Sequence, residues 1–467
     1  MKSCTSRSRR GPRQASLTLL IMLAANSRLA AQTGLTIYND GRVLVRRTLP
    51  LALGAGVSNH RLSLGLLDPA SLFALDSGVV VVGSAYDESV DEVNTMRRAV
   101  GQSVKFLSGR EKNGIADTVT ATVLGVNPER FRLASGQIIF HRPGLPLYPA
   151  DLVLTDPTLA VAIRSAQSRP SLRLGYFTGG ASWSANYSVV LGRGTARIGG
   201  QASIPSATLR AADADVQLLA GSVGRAGRFG KASGAPMVME RMAVGDVAAQ
   251  SEATEEQVGE AHLYTIPGRL TLEPGVTASV ALFEPATAPW ERSYVVRGQI
   301  PYYGMLPQYG NEENAVPVEV AYTLKRTAKT PFGDLPIPGG VFRLYQSDEA
   351  GRLQLIGESS AGHTAPGRDL RLSAGAAFDL TAKRVQMSYS TRRDSLRTIA
   401  TADYRVTLTS AKDSAVTVEV IEERHGDWTV LSSSIPGEKV SSTRTRFRVR
   451  VPAMGEAVLT YRVRVVW

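Results

Sequence analysis

The C-terminal end of the chain alternates between apolar and polar residues along two consecutive segments. Residues 443–451 and 457–467 each place aliphatic or aromatic side chains at every second position, with arginines between them. Because successive side chains of a strand point to opposite faces, the spacing predicts two half-buried strands. Residues 452–456 are suited to a turn. The pattern therefore predicts an antiparallel hairpin whose outer face carries Arg444, Arg446, Arg448, Arg450, Arg462 and Arg464.

Strand-like alternation dominates the rest of the chain as well, and the best helix pattern covers residues 87–100, with Asp87 as its N-cap. An Asn-Asp-Gly turn predicts a hairpin over residues 35–49. Four short strands joined by Gly and Asn-Pro turns predict a small β-barrel-like insert over residues 101–142. C-terminal strands that recur about every 12 residues predict an immunoglobulin-like sandwich.

These elements predict a mainly β protein of antiparallel sandwiches, with the immunoglobulin-like one last. A glycine at every third position from Gly221 to Gly230, followed by residues poor in large apolar side chains, predicts a flexible linker. The expected order after residues 1–31 is an N-terminal β segment that packs with later strands (32–100), the insert (101–142), a β segment (143–224), the linker (225–259), a β domain (260–375) and the C-terminal sandwich (376–467).

Residues 1–31 have the pattern of an export signal. A basic stretch precedes a short apolar run at residues 17–25, and Leu29-Ala30-Ala31 forms a cleavage site. The run is far shorter than the roughly 20 residues that span a bilayer, so we expect an exported protein, periplasmic or on the cell surface, that is not transmembrane once the signal is removed. The chain's single cysteine, Cys4, lies in this segment, which excludes disulfides, thiolate metal sites and a lipid anchor in the mature protein.

Removal of the signal also changes the charge. It contains six of the 53 basic residues and none of the 41 acidic ones, so the net charge falls from +12 to +6. A mild positive charge on an exported chain does not indicate nucleic acid as a partner.

Several segments, taken in order, resemble one family of exported bacterial proteins that is known only as a domain of unknown function and also forms the C-terminal module of mucoidy-inhibitor-A-like proteins. The segments that match lie at residues 35–42, 66–72, 218–221, 336–345, 357–358, 363–366 and 375–380, together with Tyr176, Gly179, Trp183, Ala185, Tyr187 and Trp428. The resemblance covers nearly all of the mature chain and implies a β-rich envelope protein with no assigned reaction and no catalytic residues. The long coiled coil of the mucoidy-inhibitor-like members is missing, so roles tied to it are not implied.

Catalytic chemistry has few candidates. The sequence contains no nucleophile elbow, zinc helix or phosphate-binding loop, and its five histidines are scattered, so we expect no metal and no cofactor. His363 in a loop of small residues and Asp379 are the best acid–base pair. A hydrogen bond that fixes the loop is the favoured interpretation of His363, because no nucleophile lies nearby in the sequence.

Ligand binding has two groups of candidates. Arg446, Arg448, Arg450, Arg462 and Arg464 would dock anionic envelope material if they are free, or would form an ordinary solvated face if Glu419 and Glu422 neutralise them. Tyr302, Tyr303 and Tyr309 lie in a Gly- and Pro-rich loop, where ligand binding and packing are equally open.

For two further motifs we favour a structural role over a binding site. Trp183 and Tyr187 share one strand face and predict core packing rather than a platform for sugars. Asp213 and Asp215 predict a turn rather than a calcium site.

The sequence therefore predicts an exported, non-catalytic protein with a binding or scaffolding role, whose partner is an anionic envelope component or another envelope protein. The alternatives are an exported hydrolase or metal-dependent enzyme that uses His363 and Asp379, and an outer-membrane-associated protein, suggested by the alternating final strand that ends at Trp467.

Overall fold

A computed structural model of the protein describes residues 32–112, 115–221, 223, 254–259, 261–298, 306, 308, 313–327, 330–394 and 397–467. The expected signal at residues 1–31, nearly all of the expected linker, and Tyr302, Tyr303 and Tyr309 lie outside the described residues. None of the helices in the described part is long and apolar enough to cross a membrane.

The described part of the chain is built mainly from strands. The first half contains β1 (Gln32–Tyr38), β2 (Val43–Leu49), β3 (Gly56–Leu62), β4 (Phe73–Ala74), β5 (Val79–Asp87), β6 (Ser103–Lys112), β7 (Ile115–Val126), β8 (Glu129–Leu133), β9 (Ile138–Ile139), β10 (Leu145–Leu147), β11 (Thr158–Ser165), β12 (Leu172–Thr178), β13 (Ser184–Leu191), β14 (Thr195–Ser206) and β15 (Ala211–Ala220). A 3-10 turn spans Pro69–Ser71, and the short helix α1 spans Glu92–Arg98.

The second half continues in the same way, with one further helical turn, α2 (Pro331–Asp334). Its strands are β16 (Thr254–Val258), β17 (Ala261–Thr265), β18 (Leu270–Leu272), β19 (Val276–Arg297), β20 (Asn314–Val316), β21 (Glu319–Leu324), β22 (Gly340–Ser347), β23 (Leu353–Ala361), β24 (Leu370–Ala376), β25 (Leu380–Asp394), β26 (Arg397–Ser410), β27 (Val416–Glu423), β28 (Asp427–Ser433), β29 (Gly437–Ser441), β30 (Arg444–Val451) and β31 (Glu456–Val466). The fold is therefore mainly β, as predicted, and the end of the expected linker is the edge strand β16.

Two sandwich-like units account for most of these strands. In the first sandwich, a sheet in the order β16-β17-β15-β1-β2-β12-β4 shares one apolar core with a sheet that contains β23-β22-β13-β14-β19 and with the small sheet β3-β11-β5. Most pairings are antiparallel, although β1 with β15, β13 with β22 and β19 with β27 run parallel. The predicted hairpin over residues 35–49 is confirmed as β1 and β2.

Aromatic side chains fill the centre of the first sandwich. The ring of Tyr187 stacks on Phe342 with a centroid distance of 4.2 Å, and its hydroxyl donates to the carbonyl of Pro338. Trp183 is also buried and donates its indole N–H to the carbonyl of Leu219. Both residues therefore pack in the core, as the sequence favours, with their polar atoms satisfied.

The 22-residue strand β19 joins the first sandwich to the second. Its first part pairs with β14, and its last part pairs with β21 and β27. The second sandwich packs the sheet that contains β19-β27-β30-β29 against the sheet β20-β25-β26-β31-β28. Val420, Phe447, Tyr404 and Val463 are among the residues of its core.

The predicted C-terminal hairpin is wrong. β30 pairs with β27 and β29, whereas β31 pairs with β26 and β28, so the turn between them carries the chain from one sheet to the facing sheet. Phe447 and Tyr461 meet across the core with ring centroids 5.2 Å apart. Alternation shows that each strand is half-buried, but two facing strands of a sandwich produce the same pattern as two paired strands.

The insert is a five-stranded antiparallel sheet in the order β10-β6-β7-β8-β9. Phe106 and Phe131 meet edge to face in its core, and Met96 from α1 packs beside them. The described sheet runs as an open path from β10 to β9. The helix begins later than predicted, because Asp91 caps it by accepting from the amide of Asn94 at 2.9 Å, whereas Asp87 ends β5.

Candidate functional site

The arginines of β30 lie on the outer face of the second sandwich, where glutamates surround them. Arg446 lies between Glu438, at 2.9 Å, and Glu419, at 3.3 Å. Arg448 contacts Glu438 at 3.1 Å, and Arg444 pairs with Glu423 at 3.0 Å. Such solvent-exposed pairs are individually weak, but they neutralise most of the charge of this face.

The arginines of β31 lie on the opposite outer face, because their strand belongs to the other sheet. Arg462 forms a two-pronged contact with Asp403, at 2.6 and 2.9 Å. Arg450 on β30 and Arg464 on β31 are exposed and have no carboxylate partner among the described residues. The six arginines therefore do not form the single surface that the sequence predicts.

Glu422 differs from its expected role, because it points into the second sandwich and not toward the outer arginines. Its carboxylate accepts from Arg384 at 3.1 and 3.2 Å and from the hydroxyl of Tyr461 at 2.7 Å, and it also pairs with Arg424. Glu422 is 0% exposed, Arg424 2% and Arg384 8%. Since Glu419 and Glu422 are three positions apart on one strand, they must lie on opposite faces. We call Arg384, Glu422 and Arg424 the buried triad.

His363 and Asp379 are held by different partners. Nδ1 of His363 accepts from the amide of Gly339 at 3.1 Å, which fixes a loop of the first sandwich, as the favoured interpretation predicts. The carboxylate of Asp379 contacts Lys412 at 3.3 Å beside β25 in the second sandwich. No contact between the two side chains is present in the described part of the chain, so the structure does not assemble the proposed acid–base pair.

Asp213 and Asp215 lie in β15, at an irregularity in its pairing with β18, and not in a turn. Arg269 contacts both carboxylates, at 2.8 and 3.6 Å. A guanidinium occupies the position that a cation would take. Within the described ranges, no group of three His, Cys, Asp or Glu side chains could hold a metal ion.

A pocket at one end of the first sandwich is the feature that the sequence analysis missed. It has a volume of about 300 Å³ and lies over the inner faces of β1, β2 and β12, next to segments from four other parts of the chain. It is lined by Thr33, Leu35, Val45, Arg47, Leu64, Gly65, Leu66, Asp156, Pro157, Tyr176, Thr178, Gly179, Thr208, Leu209, Arg210, Ala211 and Pro274.

The strand register explains how polar groups reach this pocket. Leu35 is opposite Val45, and Val45 is opposite Tyr176, so these three apolar side chains form one row across the inner face. The next row toward the end of the sheet contains Thr33, Arg47 and the buried Leu174. The core-facing stripe thus changes from apolar to polar on β1 and β2, where the sandwich opens.

Arg47 is the most informative residue of the pocket. It donates a long hydrogen bond from Nε to Oγ1 of Thr33, at 3.5 Å, and has no carboxylate partner among the described residues. Its neighbour Arg46 points to the other face of the sheet and donates to Gln217 at 2.6 Å. An arginine on an inner face without a counter-ion leaves donors available to a ligand.

Tyr176 and the loop beside it form a firm wall of the pocket. The hydroxyl of Tyr176 donates to the carbonyl of Leu64 at 3.3 Å, and Thr178 donates to the carbonyl of Leu66 at 2.7 Å. Burial raises the pKa of Tyr176, and the nearby Arg47 partly offsets that rise. The tyrosine is therefore a neutral hydroxyl at physiological pH, and the cationic residues of the lining are Arg47 and Arg210.

The sequence contains a signal for this site. Arg47 has the same parity along β2 as the buried Val43 and Val45, which places an arginine at a core-facing position. The remaining lining residues come from distant segments, and the sequence alone does not bring them together.

Comparison with known proteins adds no assignment. No family model matches the chain, and no curated protein matches it.

Proposed function

We propose that this chain is an exported binding protein of the cell envelope that takes a small ligand with an anionic group into the pocket of the first sandwich. The observation that carries the proposal is the guanidinium of Arg47, which lines a cavity of about 300 Å³ without a carboxylate partner in the described part of the chain.

The physical environment favours this pocket over the arginines of β30 and β31. A charge–charge interaction is stronger in a partly enclosed site than on a wet sheet face, because fewer water molecules screen it. Most of the strand arginines already have carboxylate partners, so a ligand would have to displace them. Arg47 has no such competitor.

Export and an envelope location are supported by the signal-like pattern of residues 1–31 and by the resemblance to exported envelope proteins. An anionic envelope component is also one of the two kinds of partner that the sequence analysis offers. A scaffolding role for the outer faces is compatible with binding in the pocket.

The test is a binding screen on the purified protein. Thermal-shift measurements followed by calorimetry would compare small carboxylates, phosphorylated sugars and uronic acids. We expect saturable binding of at least one class, lost in Arg47→Met and retained in Arg46→Met, which removes the same charge from the opposite face. Absence of binding across the screen, or equal binding by Arg47→Met, would overturn the proposal.

A further inference from the structure

The pocket contains a second charge that lacks a partner. Asp156 is exposed to solvent at the edge of the cavity that it lines, and its carboxylate forms no ion pair or side-chain hydrogen bond with any described residue. We propose that the pocket recognises a small zwitterion, a molecule with both a carboxylate and an ammonium group, such as a free amino acid or a dipeptide. This inference rests on the proposed function, because it names the ligand class of the same site.

The balance of charges carries the inference. Arg47 and Asp156 line one cavity, yet they form no ion pair with each other. Each is therefore available to a different group of one ligand, the guanidinium to a carboxylate and the carboxylate to an ammonium. A ligand with both charges would contact both residues, whereas a ligand with only one of them would leave the other residue to water.

The other charged residue of the lining does not disturb this balance. Arg210 contacts Glu273 at 3.1 Å, so its charge is compensated by the protein itself. The pocket as a whole is then close to neutral, which suits a ligand whose own charges sum to zero.

The uncharged lining fits a molecule of this size. Leu35, Val45 and the ring of Tyr176 form an apolar floor for a side chain, and Thr33 and Thr208 line the same cavity. A volume of about 300 Å³ is at the lower end of the usual range of ligand clefts, roughly 300–1,000 Å³. An amino acid or dipeptide is therefore a closer match than a segment of a polymer.

The experiment is calorimetry with free amino acids and dipeptides, after which the best ligand is measured again in its N-acetylated and C-amidated forms. Each modification removes one charge and keeps the side chain. We expect each to weaken binding at least tenfold, because one pocket residue loses its partner. Arg47→Met should abolish the preference for a free carboxylate, and Asp156→Asn the preference for a free ammonium, whereas Arg46→Met should keep both.

The outcomes separate the two proposals. If an N-acetylated acid binds as tightly as the parent compound and Asp156→Asn changes nothing, the pocket recognises an anion alone, so the zwitterion inference fails while the proposed function stands. The same holds if other anions bind through Arg47 and no amino acid or dipeptide does. If no compound of any class binds, both proposals fail.

Discussion

Both sandwiches have an arginine on an inner sheet face, but only in the second sandwich does that arginine have a carboxylate partner among the described residues. In the first, Arg47 lies where the core opens into a pocket, with a long hydrogen bond to Thr33 and with Tyr176 nearby, but with no carboxylate partner among the described residues. In the second, Arg384 and Arg424 lie inside the closed core, and both contact the carboxylate of Glu422.

The difference shows how to distinguish an arginine that stabilises the fold from an arginine that is free to bind a ligand. A guanidinium inside a closed core needs a counter-charge or hydrogen-bond acceptors, because removing it from water without a partner costs several kcal/mol. A guanidinium at the open end of a sandwich keeps part of its hydration and can bind a ligand. We therefore expect the buried triad to stabilise the fold and Arg47 to bind the ligand.

The largest effect should follow from breaking the buried triad. Glu422→Gln leaves two buried guanidiniums without a counter-charge, and we expect the free energy of unfolding to fall by about 3–5 kcal/mol. The measurement is urea unfolding followed by circular dichroism. Glu419→Gln, on the same strand but on the outer face, is the matched control and should cost less than about 1 kcal/mol. Equal losses in the two variants would show that the triad has no special role.

Removal of one arginine should cost less than removal of the carboxylate. Arg424 contacts Glu422 through Nη2, but its Nε and Nη1 are buried without hydrogen-bond partners. Arg424→Met removes these unsatisfied donors and leaves Glu422 with Arg384, so we expect a loss of at most about 2 kcal/mol in the same unfolding experiment. A loss as large as that of Glu422→Gln would mean that both arginines are required.

An outer arginine pair should contribute a smaller, pH-dependent stability. The hydrogen bond from Arg462 lowers the pKa of Asp403 below its usual 3.8. Because the folded-state pKa is depressed, the stabilisation is present above the usual pKa and is lost as the pH falls through the lowered value. The unfolding midpoint of Asp403→Asn should therefore be lower than that of the unmodified protein at neutral pH, and the gap should close as the pH falls below 3.8 and through the lowered pKa of Asp403. A gap that widens in acid would contradict this assignment.

The smallest change in stability should come from Arg47→Met. Since Arg47 has no carboxylate partner among the described residues, its loss should alter the free energy of unfolding by no more than about 0.5 kcal/mol. Thermal unfolding without ligand measures this directly, with Arg46→Met as the reference. Strong destabilisation by Arg47→Met would place Arg47 with the structural arginines and remove the contrast between the sandwiches.

Much of the local structure could be predicted from the sequence, because alternation reports which side of a strand is buried. The hairpin of β1 and β2 could be predicted because an Asn-Asp-Gly turn fixes both its position and its pairing. The pairing partners of β30 and β31 could not be predicted, since alternation does not show whether two strands pair in one sheet or face each other from two sheets.

The candidate sites also divide into features that the sequence predicts and features that depend on tertiary packing. The separate faces of Glu419 and Glu422 could be read from their spacing, and so could the inward direction of Arg47. The pocket itself could not, because it needs Asp156, Tyr176 and Arg210 beside β1 and β2, and only tertiary packing brings these segments together.

The most direct test of the contrast between the two sandwiches is hydrogen–deuterium exchange with and without the best ligand of the calorimetric screen. We predict slower exchange at the loops that cover the pocket, residues 64–66, 156–157 and 208–211, and no change at β30 and β31. Protection along β30 or β31, with no change in the pocket loops, would contradict the account. It would indicate that the ligand binds to the arginines of these strands.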